Sequence, residues 1–231
     1  MKSWPVCLSL ISTIAFAVFA NAHEAGEFLI RVGATSVNPD ADSSPVALNG
    51  TVLSLGGANT TLDVDKNTQL GLNFAYMLSD NWAVELLAAT PFEHTANGKG
   101  ELAGLDIVDT KQLPPTLSLL WYPSTAGNFK PYLGPGLNYT IFFDEDITGP
   151  AAATLATLGL IGGSASLDAS FGLSVQAGFD LHLNDTWFVN ASVRWINIES
   201  DASLKFAGGA RLTSDVEINP LVWTISLGRS F

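Results

Sequence analysis

Residues 68–92, TQLGLNFAYMLSDNWAVELLAATPF, alternate apolar side chains with small or polar ones in two segments separated by the turn residues SDN at 79–81. A period of two places the two sets of side chains on opposite faces of a β-strand. The stretch therefore predicts a hairpin with strands of about ten residues. Strands of soluble sandwiches are usually nearer five or six residues, whereas about nine to eleven tilted residues cross a bilayer. Both a sandwich and a membrane barrel stay open at this point.

The N-terminus has the features of an export signal. Lys2 supplies a basic start, Leu8–Phe19 an apolar segment, and Ala20-Asn21-Ala22 a cleavage site, so residues 1–22 are expected to be removed. The alternative, an N-terminal membrane anchor, is disfavoured because the apolar segment is short. Cys7 precedes most of that segment, unlike the cysteine of a lipoprotein signal. The mature chain, residues 23–231, is then a single domain without cysteine and cannot be a disulfide scaffold.

The composition favours the membrane alternative. The chain is 47% hydrophobic and 14% charged, with a mean hydropathy of +0.28, yet beyond the leader it contains no apolar run long enough for a spanning helix. A closed barrel is the other structure that satisfies all backbone groups in lipid. The net charge of −12 becomes −13 without Lys2, which argues against nucleic acid as a partner because phosphate binding needs a basic face.

The alternating pattern recurs along the whole mature chain. Together with the two strands of the opening hairpin it predicts eight strands, the other six lying at Glu27–Val37, Thr116–Tyr122, Pro131–Phe143, Ala169–Leu181, Trp187–Glu199 and Glu217–Phe231. The fold class is therefore all-β, an eight-stranded antiparallel transmembrane β-barrel of the up-and-down type.

The connections between the predicted strands alternate in length. The short ones contain Asp80-Asn81, Pro123–Phe129 and Leu183–Asp185, and the long ones are Pro39–Asn67, Glu93–Asp109, Asp144–Leu167 and Ser200–Asp215. Short periplasmic turns and long external loops are typical of outer-membrane barrels. Aromatic residues near the short turns are expected to form an interfacial belt: Trp82, Trp121, Trp187, Tyr122 and Tyr132. The apolar segment Pro150–Gly163 lacks strand alternation and predicts a short helix in the third external loop, where it could form an apolar landing surface.

The chain resembles the OmpW family of small outer-membrane β-barrels. The matching runs are HEAGEFLIRVG (23–33), NTQLGLNFAYM (67–77), VELLAATPFEH (84–94), QLPPTLSLLWYP (112–123), KPYLGPGLNYTIFFDED (130–146) and the terminal strand ending in Phe231. The resemblance implies an eight-stranded barrel with a narrow, apolar interior, passage of small hydrophobic molecules across the outer membrane of a Gram-negative bacterium, and roles in envelope stress or as a surface receptor. An inward Arg194 departs from an apolar interior.

Four charged residues fall on the inward phase of the predicted strands: Arg31, Glu85, Asp180 and Arg194. Charges inside a membrane barrel are expected to pair, and an eight-stranded barrel is just wide enough for side chains to fill it. We therefore predict a polar plug, by which we mean these four residues. A gated aqueous path is the alternative. Above the plug, inward apolar residues predict an apolar vestibule, defined by Leu87, Ala89, Phe142 and Val222.

Neither catalysis nor a cofactor is indicated. His23, His94 and His182 are expected at the mature N-terminus, an external strand end and a periplasmic strand end, so a triad or zinc site is not predicted. A hydrolytic site of His94 with Glu93 at the rim is a remote alternative. The acidic residues of the long loops predict a solvated rim, with a further role in holding divalent cations beside the anionic outer leaflet.

Two features at the strand ends suggest functions. Pro91, Pro114 and Pro115, here called the lateral seam, lie near the outer ends of the third and fourth strands, and proline cannot donate to a sheet ladder. They either open the wall sideways or merely end the strands. Phe231 ends the last strand with an aromatic residue, which resembles the signal that outer-membrane barrels present to the assembly machinery.

Two functions follow from these patterns. The first is a conduit for small apolar solutes with lateral release into the membrane. The second is a structural or receptor barrel whose external loops bind lipopolysaccharide, phage or toxin.

Overall fold

The computed structural model describes residues 23–55, 58–123 and 127–231, so the predicted leader, residues 1–22, lies outside the described residues. In chain order the strands are β1 Phe28–Asn38, β2 Asp42–Ser43, β3 Ala47–Leu48, β4 Thr51–Val52, β5 Ser54–Leu55, β6 Ala58–Asn59, β7 Thr61–Val64, β8 Asn67–Ser79, β9 Trp82–Ala89, β10 Phe92–Lys99, β11 Asp106–Leu113, β12 Thr116–Trp121, β13 Phe129–Ile147, β14 Ser164–Leu167, β15 Ser170–His182, β16 Trp187–Ile196, β17 Glu199–Lys205, β18 Arg211–Glu217 and β19 Leu221–Ser230. A single turn of 3₁₀ helix covers Gly100–Leu102, and one α-helix, α1, covers Gly149–Thr157.

Eight of these strands form a closed antiparallel barrel. The order is β12-β9-β8-β1-β19-β16-β15-β13, and pairing of β12 with β13 closes the ring. Each barrel strand except β1 and β19 pairs with its chain neighbours among the eight, and β1 pairs with β19 from Leu29–Ser230 to Asn38–Leu221. The predicted eight-stranded up-and-down barrel is thus confirmed. Closure leaves no sheet edge to be exposed to lipid.

The two faces of the barrel wall differ as the period of two requires. On β13, Leu133 and Leu137 are about half exposed, whereas their neighbours Tyr132 and Asn138 are buried. Large apolar residues point outward in the same way around the ring, on β8, β12, β15 and β19. In water such a band would be an exposed apolar surface, so its place is against lipid. Among the described residues no helix is long and apolar enough to cross a membrane.

The external connections are folded rather than irregular. Strands β10 and β11 continue the barrel wall outward and pair with β7 and with the outer part of β13. A second sheet, in the order β14-β17-β18-β3-β4, faces them from the opposite side. The long loops expected from the sequence are therefore mostly paired strands, and they enclose space above the membrane-spanning ring.

Helix α1 lies beside the space that the two external sheets enclose. It covers most of the segment predicted to be helical, Pro150–Gly163. Thr148 caps its N-terminus by accepting a hydrogen bond from the backbone N–H of Ala151 at 3.2 Å, and Pro150 fits the first turn, where its missing N–H costs nothing. Gly159, with φ +79°, follows the last turn and supplies the left-handed conformation that ends many helices. The buried Ala151 turns one face of the helix toward the sheet.

Candidate functional site

The barrel interior contains a fully buried layer of charged side chains. Arg31 of β1 donates to Glu85 of β9 (Nη1–Oε2, 2.5 Å) and to Asp180 of β15 (Nη2–Oδ2, 2.8 Å). Arg194 of β16 donates to the other oxygen of Glu85 (Nη2–Oε1, 2.7 Å). The structure thus joins all four residues of the predicted polar plug in one chain of ion pairs. Buried charges need such partners because desolvation is costly.

Neutral polar groups complete the layer. Gln176 donates to Oε1 of Glu85 at 2.9 Å and accepts from Arg194 at 2.6 Å. Asn190 donates to Asp180 at 2.8 Å and to the Tyr132 hydroxyl at 2.9 Å. Hydrogen bonds to charged groups are the stronger kind, and in a barrel of this width the network spans the interior from wall to wall. Such a layer can obstruct passage through the barrel interior.

Two tyrosines expected in the interfacial belt belong to this layer instead. Tyr122 accepts from Arg31 at 2.6 Å, and Arg31 also lies 5.2 Å from the ring centroid of Tyr132. Both tyrosines are buried, whereas Trp121 is exposed to the outside. The expectation for the tyrosines was wrong because neighbouring strand positions face opposite sides: an outward Trp121 and Leu133 require an inward Tyr122 and Tyr132. The parity was readable from the sequence.

The histidines also converge more than the sequence suggested. The rings of His23 and His182 lie 4.8 Å apart, and His23 contacts Asp180 (Nε2–Oδ2, 3.1 Å) and Glu27 (Nδ1–Oε2, 3.5 Å). A lone histidine before the first strand has no periodic signal, so its insertion into the barrel floor was not predictable. Burial opposes the charged form of His23, but the hydrogen bond to Asp180 and the contact with the Glu27 carboxylate outweigh it and raise the pKa of His23 above 6.5.

The predicted apolar vestibule is largely filled. Leu87 and Val222 are buried, and Ala89 and Phe142 are partly buried. Val222, Ala89 and Phe142 pack in one cluster with Val37, Phe92, Ile196, Ile198, Val216 and Ile218. This packed layer lies between the polar plug and the space enclosed by the external sheets.

Open space lies above that layer, in a cavity of about 300 Å³, here called the outer cavity. Apolar side chains from both external sheets and from α1 line most of it, including Leu62, Ile107, Val108, Leu155 and Leu204. Of the four vestibule residues, Phe142 lines this cavity. A volume near 300 Å³ is at the lower end of sites that hold small ligands.

Several polar residues also line the outer cavity, and two of them, His94 and Gln112, contact each other. His94 of β10 lies with Nδ1 2.5 Å from the backbone oxygen of Asp65, and its Nε2 lies 2.9 Å from Nε2 of Gln112 on β11. The sequence predicts His94 at an external strand end, and the structure buries it there: His94 is 4% exposed and Gln112 is 2% exposed. Gln112 was missed because it adjoins the prolines and lies on a strand outside the eight that were predicted.

The wall changes partners at the lateral seam. Pairing of β9 with β12 stops at Leu87–Thr116, and pairing between β10 and β11 starts at Phe92–Gln112. Across this step the described residues 88–91 and 113–115 form no ladder pair with each other. The segment 88–91 includes Pro91, and the facing segment includes Pro114 and Pro115. The described structure thus places all three prolines at one interruption of the sheet.

At the periplasmic end, Phe231 pairs with the start of the first strand. Its backbone N–H donates to Phe28 at 2.9 Å, and its backbone oxygen accepts from Phe28 at 3.1 Å. Phe231 is 61% exposed, and its ring centroid lies 4.5 Å from the Arg229 guanidinium carbon. An exposed aromatic ring at this edge suits the membrane interface.

The acidic rim forms exposed ion pairs with the few lysines of the outer sheets. Lys111 lies 3.1 Å from Asp144, and Lys99 lies 3.1 Å from Asp63. Within the described ranges, no group of three or more His, Cys, Asp or Glu is arranged to hold a metal ion. The predicted role in holding divalent cations therefore has no such group behind it there.

Comparison with known proteins agrees over the whole described length. The OmpW family model matches residues 24–231. Outer membrane protein W of Vibrio cholerae is 45% identical over 236 residues, covering all of both chains. The dibenzothiophene metabolism operon protein PahQ of Pseudomonas aeruginosa is 29% identical over 208 residues, 90% of each chain. The crystal structure of outer membrane protein OprG from Pseudomonas aeruginosa superposes with a TM-score of 0.81 at 42% identity, covering 91% of this chain and 98% of that one.

Proposed function

Because this chain belongs to the OmpW family and is a barrel of the Gram-negative outer membrane, we propose that it takes up small hydrophobic molecules from outside and releases them sideways into that membrane. The outer cavity is the entry site of this path. The polar plug blocks the direct route to the periplasm. The proposal includes no enzymatic step.

The observation that carries the proposal is the position of an apolar cavity above a sealed polar layer. A cavity of about 300 Å³ with mostly apolar walls favours an apolar solute. Transfer of the solute from water into the cavity is favourable roughly in proportion to the apolar area buried. The same guest has no favourable route through Arg31, Glu85, Asp180 and Arg194, which bind one another. A relative at 29% identity carries a name that refers to dibenzothiophene metabolism, and dibenzothiophene is a small apolar molecule.

The lateral seam is the proposed exit. It adjoins the packed layer, since Phe92 of that layer and Gln112 of the outer cavity are the first ladder pair above the interruption. A wall without ladder hydrogen bonds is the place where two strands separate at least cost. A solute would leave the outer cavity past Phe142, Ala89 and Leu87 and enter the lipid there.

Repair of the seam tests the exit. Pro91→Thr, Pro114→Val and Pro115→Val should together slow the uptake of an apolar solute such as naphthalene into lipid vesicles severalfold, while uptake through variants of the plug stays unchanged. Pro220→Val is the matched control, because Pro220 precedes β19 and is remote from the seam in the barrel order. Normal uptake by the repaired wall, with altered uptake by plug variants, would exclude lateral exit.

The folded external sheets and the sealed plug also suit a second function. In it the barrel is a structural or receptor protein, and its external segments bind lipopolysaccharide, phage or toxin. This alternative predicts that vesicles with and without the protein take up apolar solutes at the same rate. A difference in uptake that depends on the protein favours the conduit.

A further inference from the structure

Apolar side chains line most of the outer cavity, and among its polar residues His94 and Gln112 form a hydrogen-bonded pair that is not needed to hold an apolar guest. Both side chains are almost fully buried. A buried polar group costs free energy unless it is hydrogen-bonded. The hydrogen-bonding groups of these two side chains that remain unpaired therefore indicate which polar group a ligand of the cavity can carry.

The geometry fixes the protonation of His94. A backbone oxygen can only accept, so Nδ1, at 2.5 Å from the oxygen of Asp65, carries the hydrogen. Burial lowers the pKa of His94 below 6.5, which keeps the ring neutral at neutral pH. A neutral ring protonated at Nδ1 has a lone pair at Nε2.

The protonation of His94 in turn fixes the orientation of Gln112. The lone pair at Nε2 of His94 accepts a hydrogen from the amide nitrogen of Gln112 at 2.9 Å, so the amide nitrogen faces the histidine. The amide oxygen of Gln112 is then an acceptor beside the cavity. Among the residues that the structure describes, none donates a hydrogen bond to it.

We propose that the outer cavity selects small apolar molecules that carry one hydrogen-bond donor, a hydroxyl or a ring N–H, and that the amide oxygen of Gln112 accepts that hydrogen. Phenols, fused-ring alcohols and indoles are the ligand class. The inference rests on the proposed function for the cavity itself and adds the polar half of the ligand. His94 is a positioning residue, since it holds the amide and does not bind the ligand.

The size of the preference follows from one added hydrogen bond. A net gain near 1 kcal/mol is typical of such a bond, which is about a fivefold change in affinity.

The test compares three probes of one shape: 1-naphthol, 1-methoxynaphthalene and naphthalene. The full chain is placed in lipid nanodiscs, with empty nanodiscs to subtract partition into lipid. Binding is followed by NMR of the Gln112 side-chain amide and the His94 ring nitrogens. We expect 1-naphthol to bind about fivefold more tightly than 1-methoxynaphthalene and to shift the Gln112 signals.

Two variants locate the effect. Gln112→Leu should abolish the preference, so that 1-naphthol and 1-methoxynaphthalene bind it with equal affinity. Thr110→Val is the matched control, because Thr110 lines the same cavity and already donates to a backbone oxygen at 3.4 Å. It should keep the preference.

The outcomes separate the two proposals. Equal affinity of 1-naphthol and 1-methoxynaphthalene in the unchanged protein overturns the assignment of Gln112 even if both bind, and leaves the conduit standing. Loss of the preference in Thr110→Val as well as in Gln112→Leu also overturns it. If none of the three probes binds in the outer cavity, the entry site of the proposed function fails together with the inference.

Discussion

Glu85 is the residue on which the polar plug depends, because its two carboxylate oxygens bind two different arginines. Oε2 accepts from Arg31, and Oε1 accepts from Arg194 and Gln176. Arg31 has a second carboxylate partner in Asp180, whereas among the described residues Arg194 has Glu85 alone. Removal of Glu85 therefore leaves Arg194 as a buried charge without a counter-ion.

A double-mutant cycle measures that dependence. Glu85→Leu should lower the free energy of unfolding by about 3–5 kcal/mol, and adding Arg194→Leu should recover part of the loss, because the unpaired charge is then gone. Urea unfolding in lipid vesicles provides the free energies. The control combines Arg194→Leu with Thr35→Val. The Thr35 hydroxyl is hydrogen-bonded to Thr224 and contacts neither Glu85 nor Arg194. Additive effects at Glu85 and Arg194 would show that the pair is not coupled.

His23 should make stability depend on pH. Its folded pKa is raised, so its contribution is fully present below the unfolded value of 6.5 and is lost as the pH rises through the folded pKa. The unchanged protein should therefore lose more unfolding free energy than His23→Gln as the pH rises from about 6 to about 9. Parallel curves for the two proteins, measured by urea unfolding at each pH, would contradict a charged His23.

At the scale of the strands and helix, the sequence predicts the membrane-spanning part well and the external part poorly. Long runs with a period of two identify the barrel strands because one face meets lipid and the other the interior. Strands such as β2 to β6, of two residues each, have no measurable period. The outer cavity is lined largely by the external strands β7, β10, β11, β14, β17 and β18, which lie outside the eight predicted strands, so its location above the barrel could not be predicted from the period of two.

The candidate site divides in the same way. Arg31, Glu85, Asp180 and Arg194 were predictable because charge on the inward phase of a membrane strand requires a partner. The pairing of His94 with Gln112 was not, since it depends on the diagonal register of two external strands. A single sequence contains no signal for which residues of a loop will lie opposite each other.

The contact between β16 and β19 offers a test of packing at this scale. Gly228 lies opposite Phe188, and a Cβ at Gly228 would overlap the Phe188 ring. Gly228→Ala should therefore lower the free energy of unfolding by about 1–3 kcal/mol. Gly208→Ala is the control, because nothing lies within 4 Å of its Cβ position. Equal stability of the two variants in urea unfolding would mean that Phe188 moves aside without cost.

For the whole molecule, Phe231 tests how the barrel reaches its folded state. Deleting it removes two backbone hydrogen bonds to Phe28 and an exposed aromatic ring at the membrane interface. The folded fraction in membranes, read from the mobility difference between heated and unheated samples on gels, should fall. Phe231→Tyr keeps the ring and the backbone and should fold normally. An unchanged folded fraction after the deletion would end the proposed role in assembly.

Pairing of β1 with β19 also sets the order of events during synthesis and export. The first strand of the ring lies beside the last, with residues 39–220 of the chain between them. Until β19 is present, β1 and β16 each have an open edge, and no hairpin formed earlier can substitute for it. A chain that ends before β19 can form only an open sheet with two unpaired edge strands, not a smaller closed barrel. The free edges of β1 and β16 therefore stay available for pairing with another chain until β19 arrives.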